Sequence, residues 1–244
     1  MELEVPELYV DWDLCAVPFS FPGKNTFSPE ELDAIFEASF IEKDLAIIEP
    51  KIIDKMNQLQ EFINKFGPKI TILTMNCEDN VLAIINRYNI TNINNIVSIL
   101  DLRASRVGVA TNLFSAVLEY RKKKKTVEYI AKKFNVTIED IVRESSNLNI
   151  NENYTKAVWA QEQGKPFIFF DDSPSNIDQM NEMIKETTMN ASCVLIPRPN
   201  YPDKWSVDEM GMFSEAAKNI WPTDVVSSGE QKCKDIPIFK TFSF

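Results

Sequence analysis

Short apolar runs alternate with helical patterns along this chain, and this alternation predicts an α/β fold. The runs that we assign to strands lie at about 5–15, 70–74, 96–100, 167–170 and 193–196. Apolar residues with helical spacing predict helices near 49–66, 79–88, 154–163 and 177–187, and a further helix begins at about residue 28. This order is typical of a parallel sheet with right-handed crossovers, so we expect a Rossmann-like core.

The segment from 101 to 150 interrupts the alternation. It contains two or three consecutive helical patterns and no strand pattern. We therefore predict that 1–100 and 151–200 form the core and that 101–150 form a helical cap inserted after the third strand. Residues 201–244 are rich in proline and aromatic side chains, and we expect them to pack on the core as a C-terminal extension.

Polar residues follow three of the predicted strands at their carboxyl ends, where α/β sheets place ligands. In chain order these are Asp11 and Asp13, then Thr74, then Asp171 and Asp172, while Lys156 opens a predicted helix. Two carboxylates about 4 Å apart repel each other by roughly 4 kcal/mol at an effective dielectric constant near 20. If these four carboxylates meet in one pocket, they stay ionised only when a cation lies among them. Oxygen ligands alone favour Mg²⁺, and the set predicts a magnesium-assisted phosphoryl-transfer site.

Asp11 and Asp13 are two positions apart, so an extended strand would direct both side chains to one face. At a strand end, one carboxylate can attack phosphorus while the other protonates the leaving oxygen. Receiver domains of two-component signalling also combine Asp, Thr and Lys around Mg²⁺. Their acidic pair comes early in the chain, whereas Asp171 and Asp172 come last here, which argues against a receiver.

Composition narrows the chemistry further. The chain has 244 residues, a formal charge of −10 and no histidine, which excludes Ser-His-Asp and Cys-His catalysis and histidine-based metal sites. The acidic balance disfavours nucleic acid as a partner, and no apolar run is long enough to span a membrane. The acidic start of the chain lacks the pattern of a secretory signal, so we expect a cytoplasmic protein. Export by a route that needs no signal peptide stays open.

The order and spacing of these motifs resemble those of the haloacid dehalogenase superfamily. Asp11-Trp12-Asp13-Leu14-Cys15 resembles its first motif, Asp-x-Asp-x-Thr/Val, although Cys15 replaces the usual Thr or Val. Thr74, Lys156 and the Asp171-Asp172 pair resemble the second, third and fourth motifs. Asp171-Asp172-Ser173-Pro174 is also similar to the Asp-Asn-Ser-Pro of the small CTD-type protein phosphatases within that superfamily.

This resemblance implies a Mg²⁺-dependent phosphomonoesterase. Asp11 would be the nucleophile that forms a phosphoaspartate, and Asp13 would be the acid/base and offer a backbone carbonyl to Mg²⁺. Thr74 and Lys156 would hold the phosphoryl group. Asp172 would complete the metal ligands with Asp11 and Asp13, and Asp171 would support them. An Asp at position 13 favours phosphoester chemistry over dehalogenation.

Several alternatives stay open at this point. The substrate is a phosphotyrosine or phosphoserine protein, or a small metabolite, and a phosphotransferase such as a mutase would use the same residues. A catalytically silent module that binds partners is the alternative from another class. Lys165 could replace Lys156, but it directly precedes Pro166 and the strand, so we expect it to face solvent. The basic run 121–125 is either a solvated helix face or an edge that attracts acidic substrates.

Overall fold

A computed structural model describes residues 6–13, 15–17, 53, 56, 57, 59–61, 63, 64, 69–93, 95–149 and 154–196. Its centre is a sheet of five parallel strands in the order β3-β2-β1-β4-β5. The strands are β1 (Glu7–Val10), β2 (Ile70–Thr74), β3 (Ile96–Ser98), β4 (Phe167–Asp171) and β5 (Ala191–Leu195). The predicted α/β class is therefore confirmed, and the parallel sheet is consistent with a Rossmann-like core.

Helices cover both faces of the sheet because its central strands are apolar on both sides. Alternate residues of β1 enter different clusters: Leu8 and Val10 face one layer and Tyr9 faces the other. The first layer contains α1 (Glu78–Arg87) and the helical residues described between 53 and 64. The opposite layer contains α2 (Ile99–Arg106), α6 (Lys156–Gln163) and α7 (Pro174–Thr187). The result is a three-layer α/β/α arrangement.

The sheet has a topological switch point between β1 and β4, because successive strands are added on one side of β1 and then on the other. This switch point determines where a ligand can bind. From β1 the chain passes to β2 and β3 on one side, and then returns to place β4 and β5 on the other. The crossover helices at such a switch point diverge to opposite faces, leaving a crevice at the carboxyl ends of the two strands. Asp11 directly follows β1, and Asp171 is the last residue of β4.

Four helices, α2 to α5, lie between β3 and α6. The three after α2 are α3 (Thr111–Arg121), α4 (Val127–Phe134) and α5 (Ile138–Asn147). They share a cluster of buried residues that includes Ile130, Phe134 and Ile141. Three helices, α3 to α5, lie wholly within the described part of the segment, which agrees with the predicted two or three helical patterns. The additional helix α2 was missed because it begins at Ile99, inside the predicted strand 96–100. That the segment forms a separate cap stays a prediction.

Several predicted boundaries are also wrong. The first strand ends at Val10, because the chain turns beyond it and the Ala16 amide donates to the Asp11 carbonyl. β3 ends at Ser98, whose hydroxyl caps α2. The predicted helix at about residue 28 and the C-terminal extension 201–244 lie outside the described residues. Among the described helices, none has the length and apolar character needed to cross a membrane.

Candidate active site

The ends of β1 and β4 bring two carboxylates together around one lysine. Val10 pairs with Phe170, and the Asp11 amide donates to the Phe170 carbonyl at 2.9 Å, so the two strand ends are in register. The Lys156 ammonium lies 2.5 Å from Oδ1 of Asp11 and 2.6 Å from Oδ2 of Asp171. All three side chains are buried. The structure thus brings together three of the predicted site residues, Asp11, Lys156 and Asp171.

Lys156 reaches the carboxylates because its helix begins at that residue. The Thr155 hydroxyl caps the first turn of α6, so the lysine side chain leaves from the helix end. The preceding residue, Tyr154, is held by α2: Arg103 Nε donates to its carbonyl at 2.6 Å, and the Arg106 guanidinium lies 3.6 Å from its ring centroid. These contacts fix the backbone immediately before Lys156.

Lys165, the alternative to Lys156, does not enter the site. Its side chain is 55% exposed, and its ammonium lies 3.6 Å from Glu7 Oε1. The expectation that it faces solvent is confirmed.

Asp171 accepts hydrogen bonds on both carboxylate oxygens in addition to its bond with Lys156. The Ser173 amide donates to Oδ1 at 2.8 Å, and Asn176 Nδ2 lies 3.1 Å from Oδ1 and 3.0 Å from Oδ2. Ser173 precedes α7 and Pro174 is its first residue, a favoured helix start that places Asn176 in the first turn. This set of donors holds the Asp171 carboxylate in one orientation.

Asp172 completes a group of three buried carboxylates. One ligand oxygen from each of Asp11, Asp171 and Asp172 lies within 4.8 Å of the others. Three ionised carboxylates and one ammonium have a net charge of −2, which one divalent cation would neutralise. The donors are oxygens only, and no His or thiolate is among them, so the residues fit Mg²⁺. Asp11 and Asp172 are the predicted ligands within this group.

Burial perturbs the titration of Asp11 and Lys156. Burial raises the pKa of Asp11 well above its usual value; the Lys156 ammonium opposes this increase, and the Asp171 carboxylate adds to it. Burial alone would lower the pKa of Lys156, but the two neighbouring carboxylates outweigh it and the pKa is raised. Both shifts favour the proton-bound form of their group, and the attraction between Lys156 and the two carboxylates opposes the shift of Asp11.

A second hydrogen-bonded group contains Thr74 and Asp13. The Asn76 amide donates to Thr74 Oγ1 at 2.9 Å, and Asn76 Nδ2 donates to Asp13 Oδ2 at 3.3 Å. Thr74 uses a lone pair in this bond, so its hydroxyl hydrogen can still be donated to a ligand. Asp13 is only half-buried, whereas Asp11 is buried. The two carboxylates thus have different surroundings. We expected both on one face of an extended strand, but β1 ends at Val10, before either residue.

Asn76 and Asn176 are site residues that the sequence analysis missed. Each stands beyond a strand end, at the second residue after β2 and the fifth after β4. Asn76 Oδ1 also accepts from the Cys77 amide at 2.9 Å and from Asn80 Nδ2 at 2.8 Å, which fixes its orientation. A search of the sequence for asparagines within five residues after each strand end would have included both.

Cys15 lies beside the site rather than in it. Its thiol is buried, lies 3.7 Å from the Phe170 carbonyl and donates a weak hydrogen bond to it. Burial, with the charge of Asp11 as a second cause, raises the pKa of this thiol well above its usual value. Cys15 therefore packs against the end of β4.

Comparison with known proteins assigns no family to the chain. No protein-family model matches it, and neither does any curated protein or solved structure. The assignment of a reaction to this site therefore depends on the chemistry of its residues.

Proposed function

We propose that the protein is a Mg²⁺-dependent phosphomonoester hydrolase of the haloacid dehalogenase type. The observation that carries the proposal is the Lys156 ammonium between Asp11 and Asp171, with Asp172 in the same buried carboxylate group. A reactive carboxylate, a fixed cation and an oxygen-only metal site at a strand switch point are the parts that phosphoryl transfer needs.

Asp11 is the proposed nucleophile. Lys156 binds Oδ1 and orients the carboxylate, and the same ammonium can attract a phosphoryl oxygen. A carboxylate oxygen of Asp11 forms a bond to phosphorus while the bond from phosphorus to the ester oxygen breaks, which gives a phosphoaspartate. Bound Mg²⁺, held by Asp11, Asp172 and the backbone carbonyl of Asp13, would neutralise the charge of the carboxylates and the phosphoryl oxygens.

Asp13 is the proposed acid/base. It protonates the leaving oxygen in the first step and takes a proton from water in the second. That water attacks phosphorus, the bond to Asp11 breaks, and inorganic phosphate leaves. Asp13 is half-buried and bonded to a neutral amide, so it can exchange protons with solvent, unlike buried Asp11. The Thr74 hydroxyl would donate to a phosphoryl oxygen.

The proposed substrate class is based on a resemblance to one branch of the superfamily, the CTD-type protein phosphatases. Asp171-Asp172-Ser173-Pro174 is similar to the motif of CTD-type protein phosphatases, and a small cap would leave an open cleft that suits a bulky substrate. We therefore favour a phosphotyrosine or phosphoserine protein. A small metabolite is the alternative within the same reaction, and a silent binding module is the alternative outside it.

The test is release of p-nitrophenol from p-nitrophenyl phosphate by purified protein, with Mg²⁺ and with EDTA. We expect turnover that requires Mg²⁺ and disappears in Asp11→Asn. The matched control is Asp178→Asn, which makes the same substitution at an exposed residue of α7 and leaves turnover unchanged. Absence of turnover from folded protein would refute the proposal and favour the binding module.

If the protein is active, a second screen separates the substrate classes. Phosphotyrosine and phosphoserine peptides are compared with sugar and nucleoside monophosphates by kcat/KM. Higher kcat/KM values for peptides support a protein phosphatase, and higher values for small phosphates support a metabolite phosphatase.

A further inference from the structure

The turn between α3 and α4 carries a basic surface that the proposed active site does not use. α3 ends at Arg121, Lys122 is its C-cap, and the Thr126 hydroxyl caps the start of α4. The four residues Lys122 to Lys125 therefore occupy one tight turn, and all four are exposed. We call this turn, together with Thr126 and Tyr129, the basic groove.

Among the described residues, no ion pair explains why four lysines lie in this turn. Arg121 is used structurally, because its guanidinium donates to the carbonyls of Ser145 at 2.8 Å and Leu148 at 2.7 Å. In the part of the chain that the structure describes, no carboxylate forms an ion pair with Lys122, Lys123, Lys124 or Lys125. Four like charges on consecutive residues repel each other, so they disfavour the turn that holds them.

The backbone of the turn strengthens this argument. Lys123 has a φ of 53°, in the left-handed region that glycine and asparagine tolerate and lysine disfavours. Glycine at this position would relieve both the backbone strain and part of the charge repulsion. A lysine there is unfavourable for the folded chain by itself, which indicates that its charge has a role outside the described fold.

The surface around the turn is a shallow depression that is largely open to solvent. Lys123, Lys124, Lys125, Thr126 and Tyr129 line it. The Tyr129 ring is 52% exposed, and the Lys125 ammonium lies 5.5 Å from its centroid. The groove thus combines several cations with an apolar ring that is open to solvent.

We propose that the basic groove binds an acidic peptide segment of a partner protein. Carboxylates of the segment pair with the lysines, and an apolar side chain packs on the Tyr129 ring. The remainder of the chain favours a peptide over a nucleic acid: residues 101–150 have a formal charge of +4, which leaves −14 on the rest. A long polyanion such as a nucleic acid would be repelled by the negative charge of the rest of the chain, whereas a short acidic segment can bind within the groove alone.

The side chains also favour a peptide. Single-stranded nucleic acids bind to several aromatic side chains and to arginine, which stacks on bases and forms bidentate contacts with phosphate. This groove offers one aromatic ring and lysines, which act as point charges and pair with carboxylates without a fixed geometry. The proposal does not depend on phosphatase activity. If the protein is a phosphatase, the groove would recruit acidic protein substrates.

The test is fluorescence anisotropy of a labelled Glu-rich peptide with one central Phe, titrated with the full chain at low salt. The comparison probes are the same peptide with Gln in place of Glu and a single-stranded oligo(dT) of equal length. The test variant is Lys124→Gln with Lys125→Gln, and the matched control is Lys165→Gln with Lys185→Gln, two other exposed lysines. Tyr129→Ala tests the apolar contact.

We expect the acidic peptide to bind the wild-type and control chains equally and the Lys124/Lys125 variant about tenfold more weakly, the loss of roughly two exposed ion pairs. Tyr129→Ala should weaken binding without changing its dependence on salt. The proposal is overturned by no binding, by equal binding to the Lys124/Lys125 variant, or by equal binding of the Gln peptide. Tighter binding of oligo(dT) than of the acidic peptide would assign the groove to nucleic acid instead.

Discussion

Lys156→Met is the substitution that most directly tests the electrostatics of the site. The ammonium lies within hydrogen-bond distance of Asp11 and Asp171, and all three side chains are buried. Methionine has a similar length and no charge, so the variant retains most of the packing of α6. It leaves two buried carboxylates without the cation that they share.

The expected loss is large. Removing one partner of a buried ion pair costs about 3–5 kcal/mol, because the remaining charge stays in a medium that solvates it poorly. A chain of this size loses roughly 2–4 °C of Tm per kcal/mol, so the Tm should fall by about 6–20 °C. The total free energy of unfolding of a protein is about 5–15 kcal/mol, so the variant should fold but be clearly weakened.

The loss should also depend on pH. Burial already raises the pKa of Asp11, and removing Lys156 removes the charge that opposes this increase. The folded variant therefore holds a proton that the unfolded chain releases, so its free energy of unfolding falls as pH rises above the usual Asp pKa. In the wild-type protein the pKa of Lys156 is raised, so its ammonium stabilises the fold throughout this pH range. This stabilisation is lost only at strongly alkaline pH, where Lys156 loses its proton. The difference between the proteins should be larger at about pH 8 than at about pH 5.

The assay is thermal unfolding followed by circular dichroism, in EDTA, at both pH values. Lys185→Met, at an exposed position of α7, is the control and should change the Tm little. A Lys156→Met variant with the same Tm as the wild-type protein at about pH 8 would refute the reasoning. A difference that widens towards acid pH would also refute it.

Two further substitutions separate metal binding from phosphoryl binding. Asn176→Ala removes the amide that bonds both oxygens of Asp171, which shares Lys156 with the proposed ligand Asp11, and we expect a rise of about tenfold, the lower end for partners of a metal ligand, in the Mg²⁺ concentration needed for half-maximal turnover; an unchanged Mg²⁺ requirement would contradict this. Thr74→Val removes the proposed phosphoryl donor and should lower kcat about 10²- to 10³-fold with Mg²⁺ dependence retained, while Thr74→Ser keeps the hydroxyl and most of the activity. Equal kcat for the Val and Ser variants would exclude a hydroxyl role.

The sequence predicts β2 and β4 well, because their bounds depend on local patterns. Ile70–Thr74 was assigned with its observed bounds, and the strand at 167–170 lacks only Asp171. Both are short runs of mainly apolar residues that end at a polar residue, the signal of a strand that is buried on both faces. The α/β class follows from the same alternation.

The order of the strands in the sheet could not be predicted from the sequence, because it depends on contacts between distant segments. Nothing local to β1 indicates that it pairs with both β2 and β4, yet this pairing brings Asp11 beside Asp171. Asn76 and Asn176 were missed for the same reason. Each is an ordinary turn or helix-start residue in sequence, and its bonds to Asp13 or Asp171 exist only in the folded chain.

The central claim is that Asp11 becomes covalently phosphorylated during turnover, and one measurement tests it most directly. The protein is mixed with Mg²⁺ and p-nitrophenyl [³²P]phosphate, quenched in acid within the first turnover and digested for peptide mapping. We predict label on the peptide that contains Asp11, removed by hydroxylamine as expected of an acyl phosphate and absent in Asp11→Asn. Turnover with no labelled protein, or with the label on another residue, would contradict the account.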